Sequence, residues 1–207
     1  MQERIARRSN RERTEETRAA LLAAAKRLFI ERGYADTATP DIVMAAGVTR
    51  GALYHHFADK RALFHAVVEQ EAATVAAEIE RAAPDTISPS EALLSGGDAY
   101  LDAMSETGRT RLLLLDGPAV LGRSEMDAID DRHGNRTLRE GLTAAMRSGE
   151  IKKLPVAALT AIVAAAFDRA AQAIEGGADR HEFRIAMHAL VEGLLSKGAG
   201  QTGSSSA

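Results

Sequence analysis

The sequence predicts an all-α protein of about nine helices, and three observations carry that expectation. No stretch alternates apolar and polar residues with period two, so no sheet is expected. Apolar residues instead recur every three or four positions along most of the 207-residue chain. Only five prolines occur, and Gly, Pro and capping residues punctuate the apolar runs.

The elements follow in order. Residues 1–13 read as a flexible basic arm. A first helix over about 14–32 carries Leu21, Leu22, Ala25, Leu28 and Phe29 on one face and stops at Gly33. A second starts near Pro40, a favoured first-turn residue, with Thr37 or Thr39 as its cap, and ends at Gly47. A third covers about 50–57. Asp59 caps a long fourth helix to about Arg81, with the stripe Phe64, Val68, Ala72, Val75 and Ile79. Ser88 and Glu91 have capping-box spacing and start a fifth helix that reaches about Ser105. RTRLLLLDGPAVLG reads as a short buried helix interrupted at Asp116-Gly117-Pro118, where a hinge and an ordinary turn are equally open. A seventh helix runs from Ser124 to about Gly149. An alanine-rich eighth runs from Leu154-Pro155 to Gly176-Gly177, and a ninth covers about 179–196. KGAGQTGSSSA has the composition of a disordered tail.

Charge is unevenly spread. Residues 1–61 hold 12 Lys and Arg against 8 Asp and Glu, and residues 62–207 hold 14 against 21. A basic end on an acidic body suits a polyanionic partner, although charge alone leaves a plainly solvated surface equally open. The absence of cysteine excludes a disulfide framework, a thiolate zinc site and a cysteine nucleophile, and is compatible with a cytoplasmic location. The first residues lack the apolar core of a signal peptide. The longest uncharged apolar run, 154–167, falls short of the roughly 18 residues of a membrane span and reads as a buried helix, so no membrane is expected as a partner.

Function is most legible in GVTRGALYHHFADKRALF, residues 47–64. The second and third helices are separated by AAGVT, a helix-turn-helix spacing with Gly47 at the turn. In such a motif the N-terminal residues of the last helix reach base edges in the major groove. Here they are Thr49, Arg50, Gly51 and Ala52. Arg50 matches the paired acceptors of guanine, and the small Gly51 and Ala52 let the backbone approach. Leu53 and Phe57 face inward, Tyr54 and His55 face outward toward phosphate or base, and Lys60 beside helix N-terminal amides suits a phosphate.

Residues 17–69 resemble the DNA-binding domain of the tetracycline-repressor (TetR) family, most specifically in LFIERGY, AGVTRGALYHHF and the DK that follows. The resemblance implies domains at 14–58 for DNA binding and 59–197 for ligand binding and dimerisation, followed by a tail at 198–207. It implies a DNA-contacting surface of Thr49, Arg50, Gly51, Tyr54, His55 and Lys60. Pro40 departs from the family pattern because it stands where a polar or basic residue is common, so Thr37 or Thr39 is expected to serve the phosphate instead. It further implies a non-enzymatic transcriptional regulator, most often a repressor, that binds a double-stranded DNA operator as a homodimer and responds to a small apolar or amphipathic effector without a cofactor. An activator or a ligand-independent regulator is the alternative within that class.

The implied pocket lies among helices four to eight. Its candidates are Phe64, Val68, Glu71, Tyr100, Met104, Leu113, Asp116, Val120, Met126, Ile129 and Phe167. The implied dimer seam pairs helices eight and nine, with small Ala161 and Ala165 facing Phe183, Met187, Leu190 and Leu194. Competing readings have less support. Neighbouring His55 and His56 point about 100° apart on a helix and do not make a paired metal site, with or without His65. A helical enzyme or carrier would have to use Asp116, His133, Asp168 or His188, and no nucleophile motif or phosphate loop accompanies them.

Overall fold

The computed structural model describes residues 10–84 and 86–195, which form ten helices and no strand. The expected tail and residues 1–9 of the expected arm lie outside the described residues. Helix α1 is Asn10–Arg32, α2 Thr39–Ala46, α3 Arg50–His56, α4 Lys60–Ala82 and α5 Pro89–Met104. Helix α6 covers 109–121, α7 is Arg123–Arg132, α8 Gly134–Ser148, α9 Val156–Glu175 and α10 Arg180–Glu192. Helix α1 packs on α2, α3 and the start of α4, which continues into a body built from α4 to α10.

Four expectations need correction. Residues 10–13 are helical rather than part of an arm, and Arg11 Nε donates to Glu15 at 3.0 Å one turn on. Helix α2 begins at Thr39 behind Ala38, which offers no side-chain cap. The single helix expected over 124–149 is two, because His133 leaves helical geometry (φ −122°, ψ −101°) and its ring joins Arg132 on Glu69 of α4. Asp116-Gly117-Pro118 forms no ordinary turn, because it lies within helix α6. Pro118 has no N–H to donate, and the chain absorbs this by widening to a π-turn over Leu112–Asp116, with Gly117 N–H donating to the Leu112 carbonyl.

The core residues follow the helical stripes. Leu21, Ala25 and Phe29 of α1, Leu53 of α3, and Leu63, Phe64 and Val68 of α4 are fully buried. Phe64 meets Phe29 edge-on at 5.1 Å and Tyr34 at 5.0 Å, so one aromatic cluster fixes α1 to α4. Beside it, Glu71 of α4 is buried between Lys26 of α1 (2.8 Å) and Arg109 of α6 (3.1 Å), and Arg109 also donates to the Ala103 carbonyl.

Candidate DNA-binding surface, cavity and uncovered face

The α2–α3 turn depends on Gly47, which adopts φ +65° with open space where a Cβ would stand, so glycine is required by conformation rather than by crowding. Thr49 caps α3 by accepting from Ala52 N–H at 3.1 Å, leaving its hydroxyl hydrogen to donate outward. Arg50, Gly51, Tyr54 and His55 are exposed on the same helix, and Ala52 is half-buried behind them. The Arg50 guanidinium lies 5.5 Å from the Tyr54 ring, which lays it along the helix surface. Leu53 and Phe57 face inward. His56 is half-buried, and burial followed by the charges of His55 and Arg18 lowers its pKa. His65 lies apart from His55 and His56, 3.4 Å from Glu125.

Two expected phosphate contacts point elsewhere. Thr37 has no exposed surface, and its hydroxyl donates inward to the carbonyls of Gly33 (2.7 Å) and Leu28 (3.1 Å), so only Thr39 remains on the outer side of that turn. The Lys60 ammonium donates to the carbonyls of Tyr34 (2.9 Å) and Thr37 (3.1 Å) over the Tyr34 ring, so it staples α4 to the α1–α2 turn. The next residue, Arg61, bonds the carbonyls of Val120 and Leu121 and the Glu125 carboxylate, tying the same end of α4 to α6 and α7. Met44, 77% exposed on α2, extends the surface beside α3, and sequence periodicity had not singled it out.

A cavity of about 1150 Å³ lies within the body. Of the expected pocket residues, Tyr100, Met104, Leu113 and Phe167 line it. The others do not. Phe64 belongs to the aromatic cluster, and Glu71 is locked in its ion pairs. Asp116 pairs with Arg111 at 3.5 Å, Val68 and Ile129 are fully buried, and Val120 packs against the core. Met126 fills the space that a Cβ on Gly117 would need. In their place the cavity is walled by Val75, Ile79, Leu93 and Leu114, and by the charged Asp127, Asp130, Asp168 and Arg123. Tyr100 donates to Asp168 at 2.5 Å and stands edge-on to Phe167. Burial, then the nearby charges of Asp168, Asp127 and Asp131, pushes Asp130 up to about 7. Burial also raises Asp168.

Helices α9 and α10 leave an apolar face uncovered. Ile162 is 68% exposed, Ile185 57% and Leu190 41%, and Ala158, Ala161, Ala165 and Ala189 are exposed among them. This alters the expected seam. Met187 is buried in the protomer's own core, and Phe183 and Leu194 pack against that core, whereas Ile185 is exposed. Helix α9 is 20 residues long with a mean hydropathy of 1.3 and continues past the charged pair Asp168-Arg169, so length and composition alone would let it cross a membrane.

Comparison with known proteins bears on the whole chain. Residues 21–67 match the family described as bacterial regulatory proteins, tetR family, and residues 90–197 match the tetracyclin repressor-like C-terminal domain. A crystal structure of a TetR-family transcriptional regulator from Pectobacterium atrosepticum is 36% identical, with a TM-score of 0.72 over 92% of this chain and 99% of that one. The transcriptional regulator TtgR of Pseudomonas putida is 47% identical over 62 residues, 30% of each chain. The transcriptional repressor BepR of Brucella suis is 47% identical over 53 residues, 26% of this chain and 25% of that one. The matched stretch thus spans less than a third of these two curated relatives.

Proposed function

Because this chain belongs to the TetR family of DNA-binding transcriptional regulators, we propose that it is a cytoplasmic repressor that binds a palindromic operator as a homodimer and is released by a small effector in its cavity. The observation that carries this reading is the outer surface of α3, where Thr49, Arg50, Gly51, Tyr54 and His55 are presented on a helix anchored from behind by Leu53 and Phe57. Arg50 reads guanine, the Thr49 and Tyr54 hydroxyls hold phosphates, and Thr39 serves the strand beside Pro40. The uncovered α9–α10 face joins two copies and sets their recognition helices about 34–36 Å apart, the spacing of successive major grooves.

Coupling runs through α4. Its first turn is stapled to the DNA-binding helices by Lys60 and to α6 and α7 by Arg61, and further along Ala72, Val75 and Ile79 wall the cavity. An effector that binds one tilt of α4 more tightly changes the separation of the two α3 helices and releases the operator. The test is a gel shift with the DNA upstream of the protein's own gene. A complex that survives excess random duplex is expected, and equal affinity for both DNAs would overturn the reading.

A further inference from the structure

We propose that the cavity takes an organic cation, an apolar body bearing an ammonium or similar charge, with that charge seated against Asp130 and Asp168. The proposal deepens the effector-responsive reading and rests on it.

The cavity's walls and charge both favour this class. Ile79, Leu93, Tyr100 and Phe167 offer an apolar and aromatic lining, and the cavity is large enough for a drug-sized molecule. The carboxylates sit at its polar side without a cation in contact with them among the described residues. The Asp130 carboxylate has no hydrogen bond or ion pair among the described residues, and that of Asp168 has only the Tyr100 hydroxyl. Of the charged side chains in the lining, Arg136 is paired with Glu80 and Glu140, which leaves the three carboxylates of Asp127, Asp130 and Asp168 against one guanidinium. That guanidinium is Arg123, which forms no ion pair among the described residues, although its charge acts on both Asp130 and Asp168. Carboxylates held in apolar surroundings with only a distant counter-charge lose hydration and gain little in return. An anionic ligand would add to that repulsion and a neutral one would leave it unrelieved. A cation relieves it and also gains from the rings of Tyr100 and Phe167. The described residues contain no group of three or more metal-ligating side chains, so a bare metal ion lacks a cage and the cation is organic.

A proton is the competing occupant. Asp130, held near 7, faces Asp127, Asp131 and Arg123 of α7 and Asp168 of α9. A cation that needs the ionised carboxylate must displace that proton, so its affinity rises with pH.

Tetraphenylphosphonium and tetraphenylborate share shape and size and differ in the sign of their charge, which makes them a direct probe. Calorimetric titration into the full chain should show the phosphonium binding at least about tenfold tighter than the borate. Its affinity should rise about tenfold between pH 6 and pH 8 as one carboxyl proton is displaced. Asp130→Asn with Asp168→Asn should abolish both effects, with helicity checked by circular dichroism. Asp130→Asn alone should flatten the pH dependence if the double variant does not fold. Equal binding of the two ions, a pH-independent phosphonium affinity, or a preference that survives in the folded double variant would each overturn the proposal. Operator binding is measured separately on the same preparation. A protein that selects its operator but ignores the sign of the probe loses this proposal and keeps the regulatory reading.

Discussion

The Lys60 ammonium donates to the Tyr34 carbonyl at 2.9 Å, which joins the first turn of α4 to the end of α1 rather than to the outer surface. A lysine used in this way orients the DNA-binding helices without neutralising a phosphate. Lys60→Ala is therefore expected to weaken binding to all duplexes while leaving the salt dependence nearly unchanged. A slope flattened by about one phosphate's worth of released counterion would return Lys60 to the DNA backbone. Affinity measured by fluorescence anisotropy across a salt series separates the two.

Glu71 binds α1, α4 and α6 together through Lys26 and Arg109. Glu71→Ala leaves the buried Arg109 guanidinium without its nearest carboxylate, at a cost of about 3 kcal/mol, the low end for a broken buried pair. Glu78, 3.6 Å from Arg109, and the partly exposed Lys26 keep it there. Urea denaturation followed by circular dichroism measures this, and a loss under about 1 kcal/mol would show that Arg109 finds water on its own.

Asp130 gives a stability change whose sign is fixed. Its carboxyl titrates near 7 in the folded chain, well above its ordinary range, so the fold's tolerance of it is complete below about pH 4, and the stability it carries is lost as pH rises through 7. Asparagine imitates the neutral carboxyl. The gain in stability from Asp130→Asn should grow by about 2–3 kcal/mol between pH 5 and pH 8, roughly 4–12 °C in Tm. A gain that shrinks with pH would mean that Asp130 is stabilised as the anion.

The dimer face predicts its own disruption. Ile162→Glu and Leu190→Glu alter side chains that are exposed on the single protomer, so each variant should keep its helicity. Each should sediment as a monomer, because two facing carboxylates in an apolar seam are costly. Operator affinity should collapse with it. Variants that remain dimeric would move the interface to another face.

Local chemistry was readable in the sequence and tertiary pairing was not. The Ser88–Glu91 capping box forms as its spacing implied, with Ser88 N–H donating to the Glu91 carboxylate at 2.9 Å, because both partners lie within one turn. Gly47 likewise marks its turn by conformation alone. The pocket was harder to read, since a helical stripe shows which residues turn inward but not whether they meet a neighbour or a cavity. Val68 and Tyr100 both turn inward, yet only Tyr100 lines the cavity. Charged residues misled for the same reason. Glu71 looked like a polar group in a pocket because its partners, Lys26 and Arg109, stand 45 and 38 residues away. The spacing of Phe183, Met187, Leu190 and Leu194 suggested one seam, but α10 packs on two sides, and Met187 serves its own core while Ile185 and Leu190 stay open.

The central claim is that two copies of α3 read a two-fold site, and selection of bound duplexes from a random pool tests it most directly. The wild-type chain should enrich an inverted repeat whose half-sites lie about 10–10.5 base pairs, or a multiple of that, apart between centres. Arg50→Ala should lose the preference at one guanine in each half-site, at about 1–3 kcal/mol, with little loss on random DNA. A pool that converges on no sequence, or a motif unchanged by Arg50→Ala, would contradict the account.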